Sequence, residues 1–210
     1  MTGNKRYYNQ GWFGKHPEIY DKTDFFMKYL RHAAASKLGL TPPQLILDIA
    51  TGTGAQGYEF SKLGHHVVGL DLDIHMLRQA HKKSGQNLSF TQADAEFIPT
   101  GSNIFDLAVI SFAMHDVPYE IGVRILKEAK RVIKDAGRIY IIEHGNHEKF
   151  FAARILYIVS LLFETPNYKP FFDKTFEDYF SEAKLERLQT EYLCFGAVRL
   201  LTLRQQAPVD

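Results

Sequence analysis

The chain has 210 residues, enough for one large domain with a substantial core and tight for two. Hydrophobic residues make up 45% and charged residues 23%, an ordinary globular profile, and 25 basic against 24 acidic side chains leave a formal charge of +1. No net field therefore draws in nucleic acid or an anionic membrane, and the single cysteine, Cys194, excludes an internal disulfide or a Cys-based zinc centre.

Taken in order, residues 1–24 are an irregular lead-in rich in Tyr, Gly, Asn and Lys, too polar for a signal peptide. Residues 24–38 carry Phe25, Phe26, Tyr29, Leu30 and Ala33 at helical spacing, and Thr41-Pro42-Pro43 breaks the pattern. From there strands and helices alternate. Strands are expected at 45–50, 66–70, 88–92, 105–111 and 138–143, with helices at 55–63, 74–83 and 119–134. Continuous apolar runs of four to six residues point to strands buried on both faces, and the alternation implies βαβ units around a parallel sheet. Segments 186–193 and 197–203 read as a terminal hairpin around Phe195-Gly196. No run of about 20 apolar residues exists to span a membrane.

The segment that carries chemistry is Leu47-Asp48-Ile49-Ala50-Thr51-Gly52-Thr53-Gly54-Ala55-Gln56-Gly57, a strand running through glycines into a helix. Glycine lets a ligand approach the backbone, and the helix start offers free N–H groups. Gly52, Gly54 and Gly57 also satisfy the dinucleotide spacing G-x-G-x-x-G, and Asp71 ends the second strand where a carboxylate accepts from ribose hydroxyls. Both a methyl-donor site and a nicotinamide site fit these glycines. The carboxylates separate the two. Asp48, Asp71 and Asp94 fall at the ends of three successive strands, the edge where parallel sheets bind ligands. Three negative charges suit a cationic sulfonium with a free amino group better than a pyrophosphate.

With Gly69-Leu70-Asp71, Gln92-Ala93-Asp94-Ala95-Glu96-Phe97-Ile98-Pro99, Phe105-Asp106-Leu107 and Arg131-Val132-Ile133-Lys134-Asp135-Ala136-Gly137-Arg138, the chain over residues 43–144 resembles the class I S-adenosylmethionine-dependent methyltransferases, within them the ubiquinone/menaquinone-biosynthesis group (methyltransferase type 11). Ala136 stands where that group commonly has Pro or Gly. The resemblance implies an α/β, Rossmann-like fold: a seven-stranded, mostly parallel sheet flanked by helices, with an antiparallel C-terminal strand. It implies that Asp48, Ala50, Gly52 and Gly54 hold the methionine part of the cofactor, Asp71 the ribose, and Leu72, Asp94 and Ala95 the adenine, with Ser111 beside them at the end of the fourth strand.

The loop 111–118 leaves the sheet beside the methyl site in this family. His115 is the candidate catalytic group, and Met114, His144 and Tyr20 are candidate acceptor contacts. No metal centre is expected, because the spacing of His144, His147 and Glu148 is a weak sign of one. Residues 1–40 are expected to cover the site, residues 41–210 to form the methyltransferase domain, and a helical insertion at about 148–182 to bind the acceptor. The stretch 150–163 is apolar all round with Arg154 its single charge, which favours a hydrophobic or lipid-like acceptor such as a quinone precursor or phospholipid headgroup. Peripheral membrane contact and a homodimer are further readings of the same helix. The expected location is cytoplasmic. A nicotinamide oxidoreductase and a binding subunit without activity stay as alternatives.

Overall fold

The computed structural model describes residues 25–162 and 165–207. Its elements in chain order are α1 (Phe25–Lys37), β1 (Leu45–Ile49), α2 (Ala55–Lys62), β2 (His66–Asp71), α3 (Ile74–Ala80), β3 (Leu88–Gln92), β4 (Phe105–Ser111), α4 (Tyr119–Val132), β5 (Ile133–His144), α5 (Phe151–Ser160), α6 (Tyr168–Phe171), α7 (Phe176–Ala183), β6 (Leu185–Leu193) and β7 (Val198–Gln205). The strands form one seven-stranded sheet in the order β3-β2-β1-β4-β5-β7-β6. β1 to β5 run parallel, and β7 is antiparallel to both β5 and β6. The expected fold class is the observed one.

Period-two alternation divides the strand side chains between two cores. Leu47, Ile49, Ile110 and Ile141 pack on the face covered by α4 and α7. Ile46, Val109, Tyr140 and Ile142 pack on the face covered by α1 and α2. The Tyr140 hydroxyl donates to the Ala34 carbonyl at 3.0 Å, which ties α1 to the middle of the sheet.

Several boundaries differ from the sequence expectation. α4 stops at Val132, two residues short, and β5 starts at once. The carbonyls of Arg131 and Val132 are taken by the N–H groups of Asn103 and Ile104, so the lead-in to β4 draws the chain out of the helix. The apolar helix α5 is shorter than expected, and only Ala153 and Ser160 on it are buried. The C-terminal hairpin forms as read, joined by a tight turn at Cys194–Gly196.

Candidate active site

Strand order reverses between β1 and β4, so a crevice opens beyond their C-terminal ends, the place where open parallel sheets bind ligands. The glycine loop forms one wall. Ala50, Gly52 and Gly54 all have positive φ, and Gly54 caps α2 at φ 77°. A Cβ on Gly54 would stand 2.5 Å from the Phe90 ring, and one on Gly57 would stand 2.9 Å from Asp48 Oδ2. These two glycines are therefore required by packing as well as by any ligand.

Asp48 lies beneath this loop, 1% exposed. Its Oδ2 accepts from the Thr51 hydroxyl and, at 3.0 Å, from the Gly57 N–H. Burial pushes its carboxyl up to about 6 against the Thr51 hydrogen bond, which holds it down. Asp48 is thus first a brace for the loop, and only Oδ1, which has no partner among the described residues, remains for a ligand.

Asp71 ends β2 with both oxygens oriented by backbone. Oδ2 accepts from the Gly52 N–H and Oδ1 from the Asp73 N–H, each at 2.8 Å. Burial raises this carboxyl to about 6 as well, opposed by those amides. Every carboxylate oxygen has a second lone pair, so Asp71 keeps capacity for a diol. At the end of β3, Asp94 Oδ1 accepts from the Glu96 N–H at 3.0 Å, Ala95 is buried, and the half-buried Leu72 follows Asp71. The sheet order sets β3, β2 and β1 side by side, so the three acidic strand ends share one edge.

The opposite wall is the loop after β4. Ser111 Oγ is buried with no partner among the described residues. Among the described residues, Ser111 Oγ, Asp48 Oδ1 and Thr53 Oγ1 are buried polar atoms without a partner around the switch point, the arrangement a polar ligand there would satisfy. Met114 differs from its expected role. It is 1% exposed and packs in the core against Gly122 of α4, so its side chain serves the fold. Tyr20 and the lead-in aromatics lie outside the described residues.

His115 is buried, and its Nδ1 stands 2.8 Å from Glu143 Oε1. Glu143 ends β5, is 0% exposed, and also accepts from the His144 N–H at 2.8 Å. Burial opposes its ionisation, but the neighbouring His115 and His144 outweigh it and hold the carboxyl well below the usual range. The His144 ring meets that of His115 edge-on at 4.7 Å, and its Nδ1 lies 3.3 Å from the Tyr168 hydroxyl. Arg199, the register partner of Glu143 on β7, stacks 4.0 Å over the Phe176 ring. Burial lowers its guanidinium to about 10, while Glu143 favours its charge.

His115, Glu143 and His144 place one donor atom each within 4.8 Å of one another, a grouping that could hold a metal ion. The hydrogen bond between His115 and Glu143 accounts for their approach without one. His147, which sequence spacing grouped with His144 and Glu148, stacks instead on Tyr157 at 4.1 Å. Glu143 and Arg199 were missed in the sequence. Glu143 carried the same signal as Asp48 and Asp71, a carboxylate closing an apolar strand.

Residues 46–137 match the family described as a methyltransferase domain. This segment is similar to methyltransferase domains. It covers β1 to the start of β5, the part of the sheet that carries the glycine loop and all three acidic strand ends. The chain is 40% identical over 111 residues to the ubiquinone/menaquinone biosynthesis C-methyltransferase of Agrobacterium fabrum, an alignment covering 49% of this chain and 42% of that protein. It is 32% identical over 154 residues to the demethylmenaquinone methyltransferase of Streptomyces avermitilis, covering 71% and 65%. In both cases the chain spans less than two thirds of the relative's own length. A SAM-dependent methyltransferase from Thermotoga maritima superposes with TM-score 0.69 over 93% of this chain and 99% of its own, at 18% identity, which establishes the shared fold.

Proposed function

We propose that the protein transfers the methyl group of S-adenosylmethionine to a small, hydrophobic acceptor that carries an ionisable proton. One observation carries the reading: the methyltransferase domain presents Asp71, aligned by the Gly52 amide, at a switch point where Asp48 Oδ1 and Ser111 Oγ are left unpaired. Asp71 accepts from the ribose hydroxyls, Asp94 and the Ala95 backbone with Leu72 hold the adenine, and the Ala50–Gly54 loop with Ser111 lines the methionine part. S-adenosylmethionine supplies a methyl carbon already activated by positive sulfur.

The chain's own contribution is placement, which is worth about 7–11 kcal/mol where the reacting atoms are held in line. Proton removal adds about 10²–10⁴-fold. Glu143 fixes His115 by accepting its Nδ1–H, which makes Nε2 the basic nitrogen of the ring and the one to receive the acceptor's proton. The resulting imidazolium lies between Glu143 and Asp116, whose Oδ1 is 3.7 Å from Nε2. His144, held by Tyr168, stands at the acceptor side of the same group. α5, α6 and α7 between β5 and β6 form the acceptor-side insertion, and their aromatic lining favours an apolar, quinone-like acceptor. The related quinone-pathway methyltransferases support that class. The acidic strand ends disfavour a pyrophosphate and with it the nicotinamide reading.

Calorimetry with S-adenosylmethionine and with NADH tests the cofactor, and binding of NADH alone overturns the proposal. A screen of quinol, phenol and amine acceptors, read as adenosylhomocysteine release, tests the reaction. Turnover confined to amines without a proton to lose would remove the role given to His115.

A further inference from the structure

We infer that α5 and the β6–β7 turn form a docking face for a lipid bilayer, and that the acceptor side of the site opens beside it. The docking face stands apart from the methyl-transfer reading, while the position of the acceptor side rests on it. Thirteen large hydrophobic side chains are exposed among the described residues, and six of them lie on the α5 stretch: Phe151, Ile155, Ile158, Val159, Leu161 and Leu162. Phe195, at the tip of the β6–β7 turn, is a seventh and is 95% exposed. The two elements are one surface, because the turn packs against α5 and Phe150 closes over Gly196.

The helix is inverted relative to an ordinary surface helix. Its inner row, Ala153, Tyr157 and Ser160, meets the protein, and Tyr157 stacks on Tyr168 at 5.7 Å beside His144. Its outer row is aliphatic and aromatic, and water gains nothing from that exposure. The stretch carries two exposed positive charges, Lys149 and Arg154, with the exposed Glu148 just before it. Long cationic side chains on an apolar helix face reach lipid headgroups while their stems lie along the acyl boundary.

At twelve residues from 151 to 162 the stretch is about 18 Å long, too short to cross a hydrocarbon core of about 30 Å, so it lies in the interface plane. No described helix is long and apolar enough to cross a membrane. Cationic charge, apolar outer row and insufficient length together favour a bilayer bearing anionic headgroups over a protein groove.

The test is flotation of the full chain with phosphatidylcholine vesicles containing phosphatidylglycerol, with no S-adenosylmethionine present. The chain is expected to float with the vesicles. The double substitution Ile155→Asp, Leu162→Asp should lower the bound fraction about tenfold or more, and Phe195→Ser should lower it less. Melting temperature and S-adenosylmethionine affinity serve as controls and should not move. Three results overturn the inference: no flotation of the parent chain, equal flotation of the double variant, or a dimer in light scattering that the double variant splits. The last would assign the face to a second copy of the chain.

Discussion

The two halves of the crevice hold their carboxylates by different means. On the β1–β3 side, Asp71 is held by the backbone N–H groups of Gly52 and Asp73, and Asp94 by that of Glu96. Of these donors only Gly52 is more than two residues from its acceptor in sequence. On the β4–β5–β7 side, Glu143 accepts from the adjacent His144 N–H but is also held by the side chain of His115, 28 residues earlier, and faces Arg199 across the antiparallel pair. Backbone donors keep a site in place whatever the neighbouring side chains are. A side-chain network is adjustable by substitution, so it is where acceptor choice and proton handling can vary on one cofactor frame.

That contrast predicts where substitutions act. The largest effect should come from His115→Ala, which is expected to lower turnover about 10²–10⁴-fold with S-adenosylmethionine affinity unchanged. Steady-state kinetics beside calorimetry separates the two. Glu143→Gln keeps the shape but weakens the hold on His115. It should lower kcat more than it changes KM and move the pH–rate profile, which a merely structural role would not do.

Next in size, Asp71→Ala should weaken S-adenosylmethionine about 10–100-fold, the value of charge-assisted hydrogen bonds of about 1.5–3 kcal/mol. Unchanged affinity would remove the ribose contact from the proposal. Gly54→Ala should destabilise the fold by about 2–4 kcal/mol, through a strained positive φ and collision with Phe90. Urea unfolding measures it.

The smallest effect concerns pH. Asp48 and Asp71 have carboxyls raised from 3.8 to about 6, so their ionisation opposes folding. Their favourable contribution is full below about pH 4 and lost as pH rises through about 6. The cofactor-free protein should therefore melt slightly higher near pH 5.5 than near pH 7.5, and Asp48→Asn should flatten the difference. Cofactor affinity should follow the opposite sign, weakening below about pH 6 as Asp71 loses its charge. Glu143 lies outside this window, because its carboxyl is held low and stays ionised.

Much of the β1–β3 side of the crevice was legible in the sequence. Asp48, Asp71 and Asp94 each close an apolar strand, and βαβ units place such ends on one edge. Two details were not legible. Asp48 reads as a ligand contact with both oxygens available, whereas Oδ2 is taken up bracing the loop under Gly57 and Oδ1 alone is left. Met114 reads as a lining residue, whereas the turn at Met114–Asp116 directs it into the core. Within one short loop, sequence spacing does not say which of two neighbours points inward.

Sequence alone determined the βαβ order, the glycine loop and the acidic strand ends, because each depends on neighbours a few residues away and on period-two and helical repeats. Tertiary structure alone decided that His115 meets Glu143, that Tyr168 meets His144, and that α5 turns its apolar face outward. Those outcomes depend on sheet register and on which surfaces remain after the two cores are filled, and neither is a property of any local stretch of chain.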